Sequence, residues 1–164
     1  MKQTVLATVI CFLLYGCAAA PVAPTAVSFD KKSIIAVWDL EDLSPFGIAQ
    51  MDLGNLLSAR IMETIQQAGY TVVEREKLEI ALRELNLGSS SLADATTQLH
   101  IGRIAGAGLM IFGVYQVIAD QMRLDLRIVE VETGRIIKTA EKTAAGGDLS
   151  GWLKAAEAAA KELI

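Results

Sequence analysis

Side chains that build metal and catalytic centres are scarce in this sequence. It has one histidine, His100, and two cysteines, Cys11 and Cys17, among 164 residues. Zinc and other transition-metal sites need several His, Cys or carboxylate ligands at close spacing. A Gly-x-Ser-x-Gly nucleophile motif is also missing. The sequence therefore predicts a protein without a metal, without a cofactor and without enzymatic activity.

Positive charge and long apolar runs are limited as well. The chain has 15 Lys and Arg against 19 Asp and Glu, a net charge of −4. Nucleic-acid binding depends on clustered basic residues that neutralise phosphates, so this balance excludes a nucleic-acid partner. It argues equally against a polybasic membrane surface. The apolar run at residues 5–15 is shorter than the about 20 residues of a membrane-spanning helix.

The first residues have the parts of a secretory leader, with one Lys, a short apolar run and a small residue before the expected cut. Leu14-Tyr15-Gly16-Cys17 resembles the lipobox of bacterial lipoproteins, in which the cysteine is acylated and becomes the mature N-terminus. Tyr15 is larger than the residue usual at that position. The resemblance predicts that residues 1–16 are a lipoprotein signal peptide and that Cys17 is the lipidation site.

An ordinary signal-peptidase site is the alternative. The best match to its small-x-small pattern, Ala18-Ala19-Ala20, would place Pro21 directly after the cut, where that peptidase works badly. Ala18 also bears on location, because Asp at that position commonly holds lipoproteins at the inner membrane of enteric bacteria. Its absence predicts the outer membrane, with the domain on the periplasmic face.

Residues 17–32 are predicted to form a lipid-anchored, flexible tether. The segment is rich in Ala, Pro, Val and Thr, includes Pro21 and Pro24, and shows no helical or strand period. From Cys17 to Ser33 it would reach at most roughly 50 Å, at about 3.4 Å per residue. The domain is therefore expected to stay near the membrane.

Residues 33–164 are predicted to form one domain. The element order β-α-β-α-α-β-β-β-α predicts an α/β (α+β) fold, with a single mixed β-sheet of about five strands and helices packed on it. Leu53, Leu57, Ile61 and Ile65 recur every four residues and predict the buried face of the first helix. The predicted strands are residues 33–39, 70–73, 109–118, 122–131 and 136–143, and the predicted helices are residues 52–68, 76–85, 94–105 and 149–164.

Acidic residues follow the first predicted strand. Asp39, Glu41 and Asp42 lie at its C-terminal end, where open α/β sheets often place ligands. Residues 41–47 are otherwise predicted as a loop from their Asp, Ser, Pro and Gly content. Because no glycine loop or partner group from a second strand accompanies them, no catalytic role is predicted for these carboxylates.

Other candidate groups favour structural roles. The charge cluster Glu74-Arg75-Glu76 lies at a strand-to-helix junction, where we predict a helix cap with ion pairs. His100 is predicted to be a helical side chain that is solvated or lies at the edge of the core. A phosphate-binding loop follows a strand and opens a helix, whereas the glycines here close a helix and enter a strand. Four glycines cluster here, at Gly102, Gly106, Gly108 and Gly113. We therefore predict that Gly106 and Gly108 end the helix and allow close backbone packing.

Four fragments together resemble the conserved line of the CsgG family, outer-membrane lipoproteins of curli secretion and surface-structure assembly. They extend over most of the predicted domain, from about Ser33 to Thr143. The fragments are residues 35–40, residues 69–84, residues 101–113 and residues 126–137.

One part of the family pattern is missing. The curli secretion channel of this family carries two long membrane-spanning hairpins, each inserted into a strand connection of the periplasmic domain. A transmembrane strand needs about 9–11 residues, so each hairpin needs some 20 or more. The connections at residues 119–121 and 144–150 are far shorter. The resemblance thus implies the family's periplasmic domain without its transmembrane hairpins.

Three functions are compatible with this resemblance. The first is a CsgG-like assembly or accessory module for surface-structure secretion or envelope biogenesis, with envelope or secretion proteins as partners and self-association through the family's domain contacts. The second is an activator of a peptidoglycan synthase, since some such activators carry a related small domain on a lipid anchor. The third is a FlgO-like flagellar outer-membrane lipoprotein.

Overall fold

The computed structural model describes residues 29–45, 52–85 and 93–164. The predicted leader, Cys17, most of the tether and the predicted loop at residues 88–91 lie outside the described residues. The elements are β1 Ile34–Val37, β2 Glu41–Asp42, α1 Leu53–Gln67, β3 Thr71–Val72, α2 Arg75–Glu84, α3 Ala95–Ile104, β4 Leu109–Ile118, β5 Gln121–Glu130, β6 Ile136–Ala144 and α4 Leu149–Leu163.

The strands form one mixed sheet in the order β3-β1-β4-β5-β6, with β2 also paired to β4. β1 is parallel to β3 and β4, while β4, β5 and β6 form an antiparallel meander. The predicted fold class and element order are confirmed, with six strands in place of about five.

The extra strand corrects the predicted loop at residues 41–47. β4 has ten residues and β1 only four, so the edge of β4 beyond Ile111 has no partner in β1. Glu41 and Asp42 pair with Val114 and Tyr115 along that edge. The length of β4 therefore determines a strand that the local composition does not favour.

Helices cover both faces of the sheet. α1 and α4 pack on one face, where the four residues of the predicted α1 stripe are at most 1% exposed. α2 and α3 pack on the other face, over Ala36, Trp38, Met110 and Phe112. In the described part of the chain, no helix is both long and apolar enough to cross a bilayer.

All four helices run away from the end of the sheet that carries the β4–β5 turn, which we call the hairpin end. Asp52, Asp94 and Asp148 cap α1, α3 and α4, each carboxylate accepting a hydrogen bond from a backbone N–H of the first turn. The opposite end is the tether end. The chain enters the described structure there at Phe29, which packs against the core on the α1/α4 side.

Tight turns at both ends keep the meander short. Ala119 and Asp120 form the two-residue β4–β5 turn with φ of 47° and 64°, as in turns with two left-handed residues. Gly134 has φ of 69° in the β5–β6 turn. Both turns agree with the predicted connections.

The glycine predictions are partly corrected. Gly106 closes α3 with φ of 80°, which confirms the helix stop. A Cβ at Gly108 would meet nothing within 4 Å, whereas one at Gly102 would clash with Met110 and one at Gly113 with Leu126. Close packing is therefore the role of Gly102 and Gly113, because the large side chains face these two positions.

Candidate functional site

A cleft of about 1020 Å³ lies on the α2/α3 face of the sheet. α2 and α3 cover this face only near the tether end, because β4, β5 and β6 extend past them toward the hairpin end. Ala93 and Gln98, at the start of α3, form one wall, and the end of β1 forms another. The uncovered strands form the floor.

Aromatic side chains lie deepest in the cleft. The rings of Trp38 and Phe112 are 6.5 Å apart between centroids and tilted by 48°. The guanidinium of Arg127 lies 5.6 Å from the centroid of Phe112, within the range of a cation–π contact. Arg127 thus presents a positive group over an apolar base.

An ion-pair junction forms the rim at the hairpin end. Arg75 contacts Asp39 at 3.0 Å and Glu79 at 3.4 Å, and it also donates to the side chain of Asn55. One guanidinium therefore connects the end of β1 with α1 and α2. The ion-pair prediction for residues 74–76 is confirmed, but Glu74, at the N-cap position of α2, makes no side-chain capping bond.

A second charge cluster lies on the exposed strands. Arg123 donates to both carboxylate oxygens of Asp125, at 2.8 and 2.9 Å, and to Glu141 on β6 at 3.0 Å. Hydrogen bonding to Asp125 and its charge raise the pKa of the Arg123 guanidinium above its ordinary value. Because these groups are exposed to solvent, each pair stabilises the fold only weakly.

Tyr115 lies behind the cleft, on the α1/α4 face. Burial, followed by the charge of Asp42 and a hydrogen bond to it, raises the pKa of Tyr115 to about 12 from 10.0. The ring packs close to Gly54, where an added Cβ would lie 3.4 Å from a Tyr115 ring carbon. The phenol thus connects β2 to the start of α1.

The stability of the domain is expected to fall between pH 10 and about 12. A folded-state pKa above the unfolded value means that Tyr115 stabilises the fold fully below pH 10, and that this contribution is lost as the pH rises through the folded-state pKa. The loss is at most about 3 kcal/mol, since one pKa unit corresponds to about 1.4 kcal/mol. Urea unfolding across this range should show a smaller fall for Tyr115→Phe. An equal fall in both proteins would contradict the prediction.

The predicted candidate residues come together only in part. Asp39, Glu41 and Asp42 all line the cleft, as their position after β1 suggested, but Asp39 is in an ion pair and Asp42 is bonded to Tyr115. His100 is an exposed residue of α3 outside the cleft lining. Within residues 29–45, 52–85 and 93–164, no group of three or more His, Cys, Asp or Glu could hold a metal ion.

Sequence reasoning missed the basic side of the cleft. Arg123, Asp125 and Arg127 alternate with the buried residues of β5, so their shared face was visible in the sequence. The residues that these side chains contact could not be predicted, because Phe112 and Glu141 come from other strands.

Solved structures share this fold. The LpoB C-terminal domain from Salmonella enterica gives a TM-score of 0.55 at 19% identity, over 69% of this chain and 82% of that one. Lipoprotein GNA1162 from Neisseria meningitidis gives 0.57 at 16% identity, over 74% and 88%. PelC from Paraburkholderia phytofirmans, solved as a dodecamer, gives 0.50 at 15% identity, over 83% and 89%. At these identities the likeness shows the fold alone.

Comparison with curated proteins gives no match. The family model of CsgG, the curli production assembly/transport component, matches residues 24–119. The match includes the first three of the four resembling fragments and ends before the fourth, residues 126–137. Because it covers more than half of the sequence, this chain belongs to the CsgG family.

Proposed function

We propose that this protein is a non-enzymatic lipoprotein of the outer membrane, anchored through Cys17, whose domain faces the periplasm. It acts as an assembly or accessory module for surface-structure secretion or envelope biogenesis. The observation that carries the proposal is the CsgG family match, which begins at residue 24, seven positions after the cysteine of a lipobox-like motif. Self-association belongs to the same proposal, and the dodecamer of PelC is a precedent with the same fold.

The cleft is the proposed surface for a protein partner. Three of its carboxylates, Asp39, Asp125 and Glu141, are held in exposed ion pairs with arginines, and each pair contributes little to the fold. A partner that offers its own charges can replace these pairs at small cost, and the aromatic base below Arg127 adds apolar area. Such a surface suits recognition of a protein better than chemistry on a small substrate.

Two other functions remain alternatives. An activator of a peptidoglycan synthase would have to pass the cell wall, and a tether with a maximum reach of roughly 50 Å makes that difficult. The likeness to LpoB shows a shared fold and does not favour this alternative. A FlgO-like flagellar lipoprotein is the other alternative. The neighbouring genes distinguish the three functions, because secretion genes would indicate the first, cell-wall synthase genes the second and flagellar genes the third.

Photo-crosslinking in cells tests the cleft. A photo-reactive residue at Thr139, exposed on the cleft floor, is expected to give adducts with an envelope protein, whereas one at Ala158, exposed on α4 outside the cleft lining, is expected to give none. Arg127→Glu should remove most of the Thr139 adduct, because it reverses the charge over Phe112. Equal adducts from both positions, or adducts unaffected by Arg127→Glu, would refute the cleft as the binding surface.

A further inference from the structure

Three exposed isoleucines lie at the tether end of the domain. Ile34, Ile104 and Ile136 are 38%, 45% and 52% exposed and come from β1, α3 and β6. β1, β4 and β5 are continuous there, since the backbone N–H of Gly108 donates to Ile34 and that of Val131 donates to Gly108, both at 3.0 Å. The tether end therefore presents exposed apolar side chains on β1, α3 and β6.

Basic side chains accompany these isoleucines. The ammonium of Lys31 donates to the carbonyl of Ala68 and lies 4.2 Å from the centroid of the Tyr70 ring. Arg103 donates to the carbonyl of Val131 at 3.5 Å. Lys32 and Arg135 are exposed nearby. The same end has four positive charges and three carboxylates, those of Asp30, Glu130 and Glu132.

The hairpin end has the opposite charge. Near the β4–β5 turn it carries two basic residues, Arg123 and Lys142, against the carboxylates of Glu41, Asp42, Asp52, Asp120, Asp125, Glu141 and Asp148. Asp52 and Asp148 are N-cap residues and interact favourably with the positive ends of the helix dipoles. Negative charge is therefore concentrated at this end. Composition argued against a polybasic membrane surface and could not show how the charges are distributed over the domain.

We infer that the tether end docks directly on the anionic phospholipid surface, with its isoleucines in the headgroup region. The described chain begins at this end, at Phe29, and 12 positions separate Phe29 from Cys17. The inference rests on the proposed anchor, which would hold this end within about 40 Å of the bilayer. Basic residues near an anionic leaflet are attracted and acidic ones repelled, so the hairpin end faces away from the membrane.

Lipid-borne quenching of matched probes tests this orientation. Ile104→Cys at the tether end and Leu43→Cys at the hairpin end replace side chains that are 45% and 48% exposed. Each purified full-length variant, its Cys17 lipid verified by intact mass, is labelled with a fluorophore in vesicles of phosphatidylethanolamine and phosphatidylglycerol. The Ile104 probe should be quenched several-fold more than the Leu43 probe. This difference should shrink in phosphatidylcholine vesicles or at high salt.

Charge reversal provides the second arm. Lys32→Glu with Arg135→Glu should weaken docking by roughly 30-fold, since each basic residue near the surface contributes about 1 kcal/mol. Lys77→Glu with Lys154→Glu, the same charge change away from the tether end, should leave quenching unchanged. Equal quenching of both probes, or quenching independent of lipid charge, would overturn the inference. A probe signal that depends on protein concentration instead of lipid charge would assign the surface to a second copy and overturn it too.

The anchor and the docking can fail separately. An intact mass without lipid on Cys17 would refute the anchor. The chain is then attached through an N-terminal histidine tag to nickel-chelating lipid, and the same quenching comparison is made. The difference between the two probes and its dependence on lipid charge then test the docking alone.

Discussion

Replacement of Cys17 by serine is expected to move this protein from the outer-membrane fraction to the soluble periplasmic fraction. In the proposed anchor, each buried methylene of the acyl chains contributes about 0.8 kcal/mol, and more than one chain makes attachment stable. None of the described helices could take over by spanning the bilayer. The tether-end surface, with four basic and three acidic residues, is too weak to retain the protein alone.

Cys11→Ser is the matched control, because it removes a thiol from the predicted leader and leaves the lipobox-like motif intact. That variant should remain with the membranes and keep its lipid by intact mass. Sedimentation of Cys17→Ser with the outer membrane at the wild-type level would show that another element anchors the protein, and the proposed lipidation would then be wrong.

Truncation of Leu57 to alanine is expected to destabilise the domain by about 2–5 kcal/mol, the range for a fully buried leucine that leaves a cavity. Leu57 is 0% exposed in the core between α1 and the sheet. Its neighbour Leu56 is 39% exposed on the same helix, so Leu56→Ala should cost about 1 kcal/mol or less. Urea unfolding measures both changes as shifts of the midpoint. Similar shifts for the two variants would contradict the packing of α1.

Local sequence patterns correctly predicted those elements whose structure depends only on residues that are close in sequence. The four-residue spacing of the apolar side chains and Asp52 predicted a helix at residues 52–68, and the structure has Leu53–Gln67 with Asp52 as its cap. A short connection at residues 119–121 was also predicted, and the structure has a two-residue turn at Ala119 and Asp120. These features depend on neighbours in sequence alone.

Contacts between distant segments could not be predicted. The pairing of Glu41 and Asp42 depends on the length of β4, and the clash that forbids a side chain at Gly113 comes from Leu126 on the adjacent strand. The cleft has the same origin, since Arg75 and Asp39 are 36 positions apart and Arg127 meets Phe112 only after β4 and β5 pair. Residue type indicated which groups carry charge, and only the fold shows which of them meet.

The position of α4 has a consequence for how this domain folds. α4 is the last described helix and packs against α1, so Leu57 and Ala156 share one core cluster although they are 99 positions apart in the chain. Closing so long a loop is entropically costly before its contacts form, and folds rich in such contacts fold slowly. Part of the apolar side of α1 stays uncovered until α4 packs on it. A chain in which α4 has not yet packed is therefore expected to be prone to aggregation, and the folding rate, more than the final stability, determines how long that state lasts.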